Sequence, residues 1–87
     1  MKIIVEHHII DLDMVYSISD PESDLIETYF WINFVGNRSI KIYRDFFDIS
    51  EDQGQISIIE NKVKALHSRL TNHWLGNQTS IITLKID

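Results

Sequence analysis

From Ile56 to Trp74 the apolar residues fall at steps of three and four: Ile56, Ile59, Val63, Leu66, Leu70 and Trp74. That spacing lines one face of an α-helix, and Asn61, Lys62, Lys64, Ser68, Arg69 and Asn72 fall away from it. The pattern predicts a helix near residues 57–75. Ser57 with Glu60 forms a possible capping box, and Gly76 is placed to end the helix in the left-handed conformation. A chain of 87 residues has room for one small domain. A single long stripe must be covered by the rest of it, and the rest reads as strands.

The strand signal is clearest on either side of Gly36–Asn37. Phe30, Ile32 and Phe34 alternate with Tyr29, Trp31 and Asn33, and Ile40 and Ile42 alternate with Lys41 and Tyr43. A hairpin must keep the apolar sets together, because a slip of one residue exchanges the faces. Pairing Val35 with Ser39 does so, with 36–38 as a three-residue loop, Phe34 opposite Ile40 and Ile32 opposite Ile42. The reverse face then carries Tyr29, Trp31 and Tyr43. After Gly76, Ile82, Leu84 and Ile86 alternate with Ile81, Thr83 and Lys85 and predict a final strand. Further turn signals stand at DPESD (20–24), DQGQ (52–55) and GNQ (76–78). Phe46 and Phe47 lie past the paired strands, and alternation assigns them no direction.

The N-terminal stretch supports two readings. Alternation of His8, Ile10, Leu12, Met14, Tyr16 and Ile18 with polar neighbours suits one strand running into the DPESD turn. Alternatively, Lys2 to His7 forms a strand and Asp11 caps a short helix from Leu12 to Ser17. The first gives an α+β fold, an antiparallel sheet of about four strands packed on one long helix. The second gives β-α-β-β-α-β, the ferredoxin-like order.

Charge is unevenly placed. Residues 3–37 contain Glu6, Asp11, Asp13, Asp20, Glu22, Asp24 and Glu27 and no Lys or Arg, whereas the whole chain carries a net charge of −5. Such a field disfavours nucleic acid and speeds encounter with a basic protein. Arg38, Lys41, Arg44 and Tyr43 make a small basic stripe, but Asp45, Asp48, Glu51 and Asp52 come directly after it. Direct nucleic-acid binding is therefore disfavoured.

Motifs for chemistry are lacking. There is no cysteine, which fits a reducing cytosol. No Ser stands in a G-x-S-x-G setting, and three scattered glycines cannot build a phosphate loop. His7 and His8 point oppositely in a strand, and His67 and His73, six apart, do not converge on a helix. Asp11 and Asp13 read as a solvated strand face, and DPESD lacks the glycine of a calcium loop. The expectation is a non-enzyme without metal or cofactor. No signal peptide or membrane-length apolar run is visible, so the chain reads as soluble and cytoplasmic.

What remains is the aromatic strip beside the acidic segment. Tyr and Trp on an open sheet face are typical interface anchors, and carboxylates near them would meet Lys or Arg. A homodimer burying the strip is the competing reading.

In size, acidity, lack of cysteine and its ending, IENKVKALHSRL and then SIITLKID, the chain resembles small bacterial immunity proteins. These are the proteins that neutralise colicins or contact-dependent growth inhibition toxins. The resemblance covers roughly the last third and transfers no individual residue. It implies occlusion of a basic nuclease toxin's cleft. On that reading Asp11, Asp13, Asp20, Glu22, Asp24 and Glu27 supply charge, and Tyr29, Trp31 and Tyr43 anchor. A phage-encoded nucleic-acid mimic such as an anti-CRISPR protein, or a self-associating structural domain, is the alternative.

Overall fold

The computed structural model describes residues 2–46, 52–76 and 83–86. Within them seven strands and one α-helix run in the order β1 (Lys2–Val5), β2 (His8–Asp11), β3 (Val15–Ile18), β4 (Glu22–Ser23), β5 (Glu27–Phe34), β6 (Arg38–Asp45), α1 (Gln53–Leu75) and β7 (Thr83–Leu84). The fold is α+β, with a four-stranded antiparallel sheet packed against one helix. The ferredoxin-like alternative does not form, because no helix separates the first strands; Leu12–Met14 is a single 3-10 turn.

In the larger sheet β5 is central. It pairs with β6 along one edge, and with β3 and then β4 along the other. The β5–β6 register differs from the sequence expectation by two residues: Phe34 faces Arg38, Ile32 faces Ile40, Phe30 faces Ile42, Trp31 faces Lys41 and Tyr29 faces Tyr43. The loop is Val35–Asn37, because the two left-handed residues, Gly36 (φ 89°) and Asn37 (φ 63°), close it directly before Arg38. Gly and Asn are the residues that tolerate such φ, so the turn chemistry decided the register. A shift of two preserves side-chain parity, and the division of faces stands as the sequence implied.

A second sheet, in the order β2-β1-β7, has no counterpart in the sequence expectation. The N-terminus makes neither one long strand nor a strand and helix. It is a hairpin turning at Glu6–His7, with Glu6 in the left-handed region (φ 55°). Two contacts hold Glu6 there: its N–H donates to Leu84 O at 2.7 Å, and its carboxylate accepts from Ile86 N at 3.4 Å. β7 runs parallel to β1. It is shorter than the alternation suggested, and the first part of that stretch lies outside the described residues. Asp11 does act as a cap, of the 3-10 turn, accepting from Asp13 N at 3.0 Å.

The helix begins four residues before its expected start. Asp52, not Ser57, is the N-cap, and its carboxylate accepts from Gln55 N at 3.1 Å. DQGQ is therefore a cap and first turn, since an Asp cap gives those amides a partner and complements the helix dipole. Glu60, freed from a capping box, instead accepts from Ser23 Oγ at 2.6 Å. Gly76 closes the helix with φ −87°, outside the left-handed region, its N–H reaching Asn72 O.

The stripe behaves as its spacing requires: Val63, Leu66 and Leu70 are buried, and Ile56, Ile59 and Trp74 are half-buried. Val63, Leu66, Leu70 and Trp74 meet Phe30, Ile32 and Ile42 from the large sheet, Ile3, Val5, Ile10 and Leu84 from the small one, and Ile86 just after it, in one core. His67 joins it by setting its ring edge-on to Phe30, with centroids 5.1 Å apart. Phe46 is buried, and its N–H bonds Ile26 O. Phe47 lies outside the described residues.

Candidate functional site: the outer face of the large sheet

With the core on one side of β5 and β6, their odd-numbered residues form the other face. β5 contributes Glu27, Tyr29, Trp31 and Asn33, and β6 contributes Ser39, Lys41, Tyr43 and Asp45. At the loop end this face is a polar ladder. Ser39 Oγ donates to Asn33 Oδ1 at 2.8 Å, and Asn33 Nδ2 donates to Ser17 Oγ at 3.0 Å.

At the other end lies the aromatic strip. Tyr29 and Tyr43 are directly paired, and the Lys41 ammonium sits 4.8 Å from the Tyr29 ring centroid and 5.6 Å from that of Tyr43. A cation over ring faces in this range is attracted by the ring quadrupoles. Lys41 also forms an ion pair with Glu27, its Nζ donating to Oε2 at 2.9 Å. That hydrogen bond to the carboxylate holds the Lys41 ammonium above its usual range. Glu27 itself is only 8% exposed. The one lysine among these positions is thus neutralised from within, and two rings shield it.

Around the strip, exposure is high for such large side chains: Trp31 is 39% exposed and Tyr43 53%. The Tyr29 hydroxyl donates to Glu22 Oε2 at 3.4 Å. Partial burial, and then the charges of Glu22 and Asp24, raise the Tyr29 phenol. The chain leading from β3 to β4 runs beside Trp31, with Ser19 N bonded to Trp31 O and Ser19 Oγ accepting from Trp31 N. Asp20 comes next and is exposed.

The six acids read from the sequence divide into two groups. Asp20, Glu22, Asp24 and Glu27 gather at the Glu27–Trp31 end of β5. Asp11 and Asp13 sit near its other end, where Val35 N bonds Met14 O. The seven steps from Glu27 to Phe34 correspond to about 23 Å of strand. Within the first group the roles differ. Asp24 Oδ1 accepts from Ile26 N at 2.8 Å and Glu27 N at 2.9 Å, and these bonds hold its carboxyl below the usual 3.8. Asp24 shapes the turn, Glu27 seats Lys41, and Asp20 and Glu22 are the exposed carboxylates beside the rings. Asp11 is held below its usual value by the Asp13 N–H it caps.

Sequence reasoning passed over the tip of the β4–β5 hairpin. Leu25 is 95% exposed and Ile26 half-exposed, two aliphatic residues at turn positions where Gly, Asn or Asp is usual. The signal was available in the order Asp-Leu-Ile-Glu. Tyr16, also well exposed, stands at the register shift between Val15 and Ser17 and leaves the alternation there.

Among the described residues no group of three or more His, Asp and Glu is arranged to hold a metal ion, and no helix is long and apolar enough to cross a membrane. No protein-family model, curated protein or solved structure matches this chain.

Proposed function

We propose that this chain is a protein inhibitor of the immunity-protein kind. Its outer sheet face binds a basic partner, a toxin nuclease domain in the most specific form of the reading, and occludes that partner's substrate cleft. The observation that carries the proposal is the open strip of Tyr29, Trp31 and Tyr43, whose only lysine is already neutralised by Glu27. A cationic partner therefore meets aromatic surface and the carboxylates of Asp20 and Glu22, with no opposing base between them. Large rigid rings lose little conformational freedom on binding, and exposed acids beside them raise the encounter rate.

Division of labour comes from the geometry. Trp31 and Tyr43 are the anchors, and Asp20 and Glu22 supply charge. Asp24 and Glu27 act through the turn and through Lys41. Asp11 and Asp13 stand about a strand length away and add only to the general field. The apolar tip at Leu25 extends the contact at the acidic end.

The test is capture of a partner from the native host with three immobilised proteins: the native chain, Trp31→Ala, and the double variant Asp20→Lys with Glu22→Lys. Capture of a cationic protein by the native chain alone, with an association rate that falls as salt rises, is the expected result. Equal recovery by all three proteins, or by none, rejects the reading.

A further inference from the structure

The core side of the β5–β6 hairpin is covered unevenly. Its even-numbered residues share that side, and Phe30, Ile32 and Ile42 are buried there. At the loop end the same side carries Phe34, Arg38 and Ile40. Phe34 and Ile40 pack against the core yet stay only half-buried. The cover ends before the face does, and a groove of about 240 Å³ opens over its last part.

Phe34 and Ile40 line this groove together with Ile9, Met14 and Val35, which are 74%, 47% and 56% exposed. Single exposed apolar residues are ordinary, but several gathered around a concavity mark a ligand site. The walls are fastened: Val35 N donates to Met14 O at 2.9 Å, and Ile9 is held in β2 opposite Ile4. The groove is therefore formed before a ligand arrives. Three polar residues complete its lining. Asp11 accepts from Asp13 N and stands opposite Lys2 in the β1–β2 ladder. Ser39 Oγ donates to Asn33. Arg38 is exposed, and among the described residues no acid lies within ion-pair distance of it. A single uncommitted guanidinium thus stands beside an apolar floor.

We propose that the groove binds a short aliphatic carboxylate, with its tail on Phe34 and Ile40 and its head at Arg38. The planar fork of a guanidinium matches a carboxylate with two parallel hydrogen bonds. An unbranched tail adapts to a wall that includes the flexible, polarisable side chain of Met14. The volume lies below the roughly 300–1,000 Å³ of pockets for drug-sized ligands, which limits the tail to a short chain. That tail is plain hydrocarbon rather than peptide. Asp11 and Ser39 are already bonded, so amides entering the groove would lose water without gaining partners.

The groove opens on the core side of the hairpin at its loop end, whereas the aromatic strip lies on the outer side. Binding there is independent of the proposed inhibitor face, and either reading can fail without the other.

Octanoate is the probe, titrated into the full chain with the methyl groups followed by NMR. The expected result is a saturable shift at Ile9, Met14, Val35 and Ile40, with a dissociation constant of about 1–10 mM for a ligand this small. Octylammonium has the same tail and the opposite charge, and should bind at least about tenfold more weakly. Arg38→Gln should weaken octanoate at least about fivefold and leave neutral octanol unaffected, whereas Ile9→Gln weakens both. Both residues are exposed, so the thermal midpoints of these variants should stay with the native chain and separate lost binding from lost folding. No saturable shift by about 20 mM octanoate overturns the proposal. So does equal binding of octylammonium, octanoate binding untouched by Arg38→Gln, or shifts centred on Trp31 and Tyr43. Tighter binding of acetyl-glycyl-leucine than of octanoate also overturns it, and would assign the groove to a peptide C-terminus.

Discussion

The two faces of β5 and β6 come from the same sixteen residues and do opposite work. Inward, Phe30, Ile32 and Ile42 are buried against α1 and the small sheet. Outward, Tyr29, Trp31 and Tyr43 surround a lysine whose charge is cancelled on the spot. The inner face uses residues that gain from losing water and have nothing else to offer. The outer face uses amphipathic rings, which can rest half in solvent and still bury well against a partner. On the proposed function, period-two alternation separates stability from recognition within one hairpin, and substitutions on the two faces should fail in different assays.

The largest effect belongs to the inner face. Phe30→Ala removes a fully buried ring that contacts His67, and should cost about 3–5 kcal/mol. A domain of this size has a total stability of about 5 kcal/mol at the low end of the usual range, so the variant keeps about 0–2 kcal/mol and its urea midpoint should fall close to zero denaturant. If Phe30→Ala kept its urea midpoint, the assignment of faces would be reversed. Glu27→Gln should come second. It leaves the Lys41 ammonium without its carboxylate between two rings, and the urea midpoint should fall by less than in Phe30→Ala and by more than in any exposed-ring variant. An unchanged midpoint would mean that Lys41 finds equal company in solvent.

The electrostatics of the outer face give a smaller effect, with a sign at each end of the pH scale. Lys41 and Tyr29 both titrate above their usual 10.5 and 10.0. Groups raised on folding contribute stability that is full below the unfolded values and is lost as pH rises through the folded ones. The thermal midpoint should therefore fall above about pH 10, and in Glu27→Gln the Lys41 part of that fall should disappear. Asp24 titrates below 3.8, so its contribution is present above that value and is lost as pH falls through the folded one. Asp24→Asn should show less of the acid-side loss. A midpoint independent of pH at both ends would remove the assigned roles of Lys41 and Asp24.

Much of this arrangement was legible in the chain. Parity is a local property, and Phe30, Ile32 and Ile42 were separable from Tyr29, Trp31 and Tyr43 by counting. The helix stripe was readable for the same reason. What failed were features fixed by turn chemistry or distant contacts. Gly36 and Asn37 both take positive φ, which moved the hairpin register by two. Asp52 caps α1 although DQGQ looks like a loop. The left-handed Glu6 depends on Leu84 and Ile86, nearly eighty residues away, and local pattern carries no trace of it. The same holds for the site. Six acids read as one field, but Asp24 and Glu27 are occupied inside the fold, and Asp11 and Asp13 belong to the other end of the sheet.

Trp31→Ala should have the smallest effect on folding and is the most demanding of the comparison. Trp31 is the residue opposite Lys41, and its backbone, not its ring, makes the bonds to Ser19. Removing the ring deletes a cross-strand contact worth about 1 kcal/mol or less and leaves every hydrogen bond of the strand in place. The urea midpoint should therefore stay close to that of the native chain. A binding anchor of this type, by contrast, costs about 2 kcal/mol or more when truncated, which is a loss of at least roughly thirtyfold in affinity. Stability and binding should thus separate by at least about fivefold at one residue. A Trp31→Ala protein that unfolds as readily as Phe30→Ala would show that the outer ring is core after all, and the two faces would have one role between them.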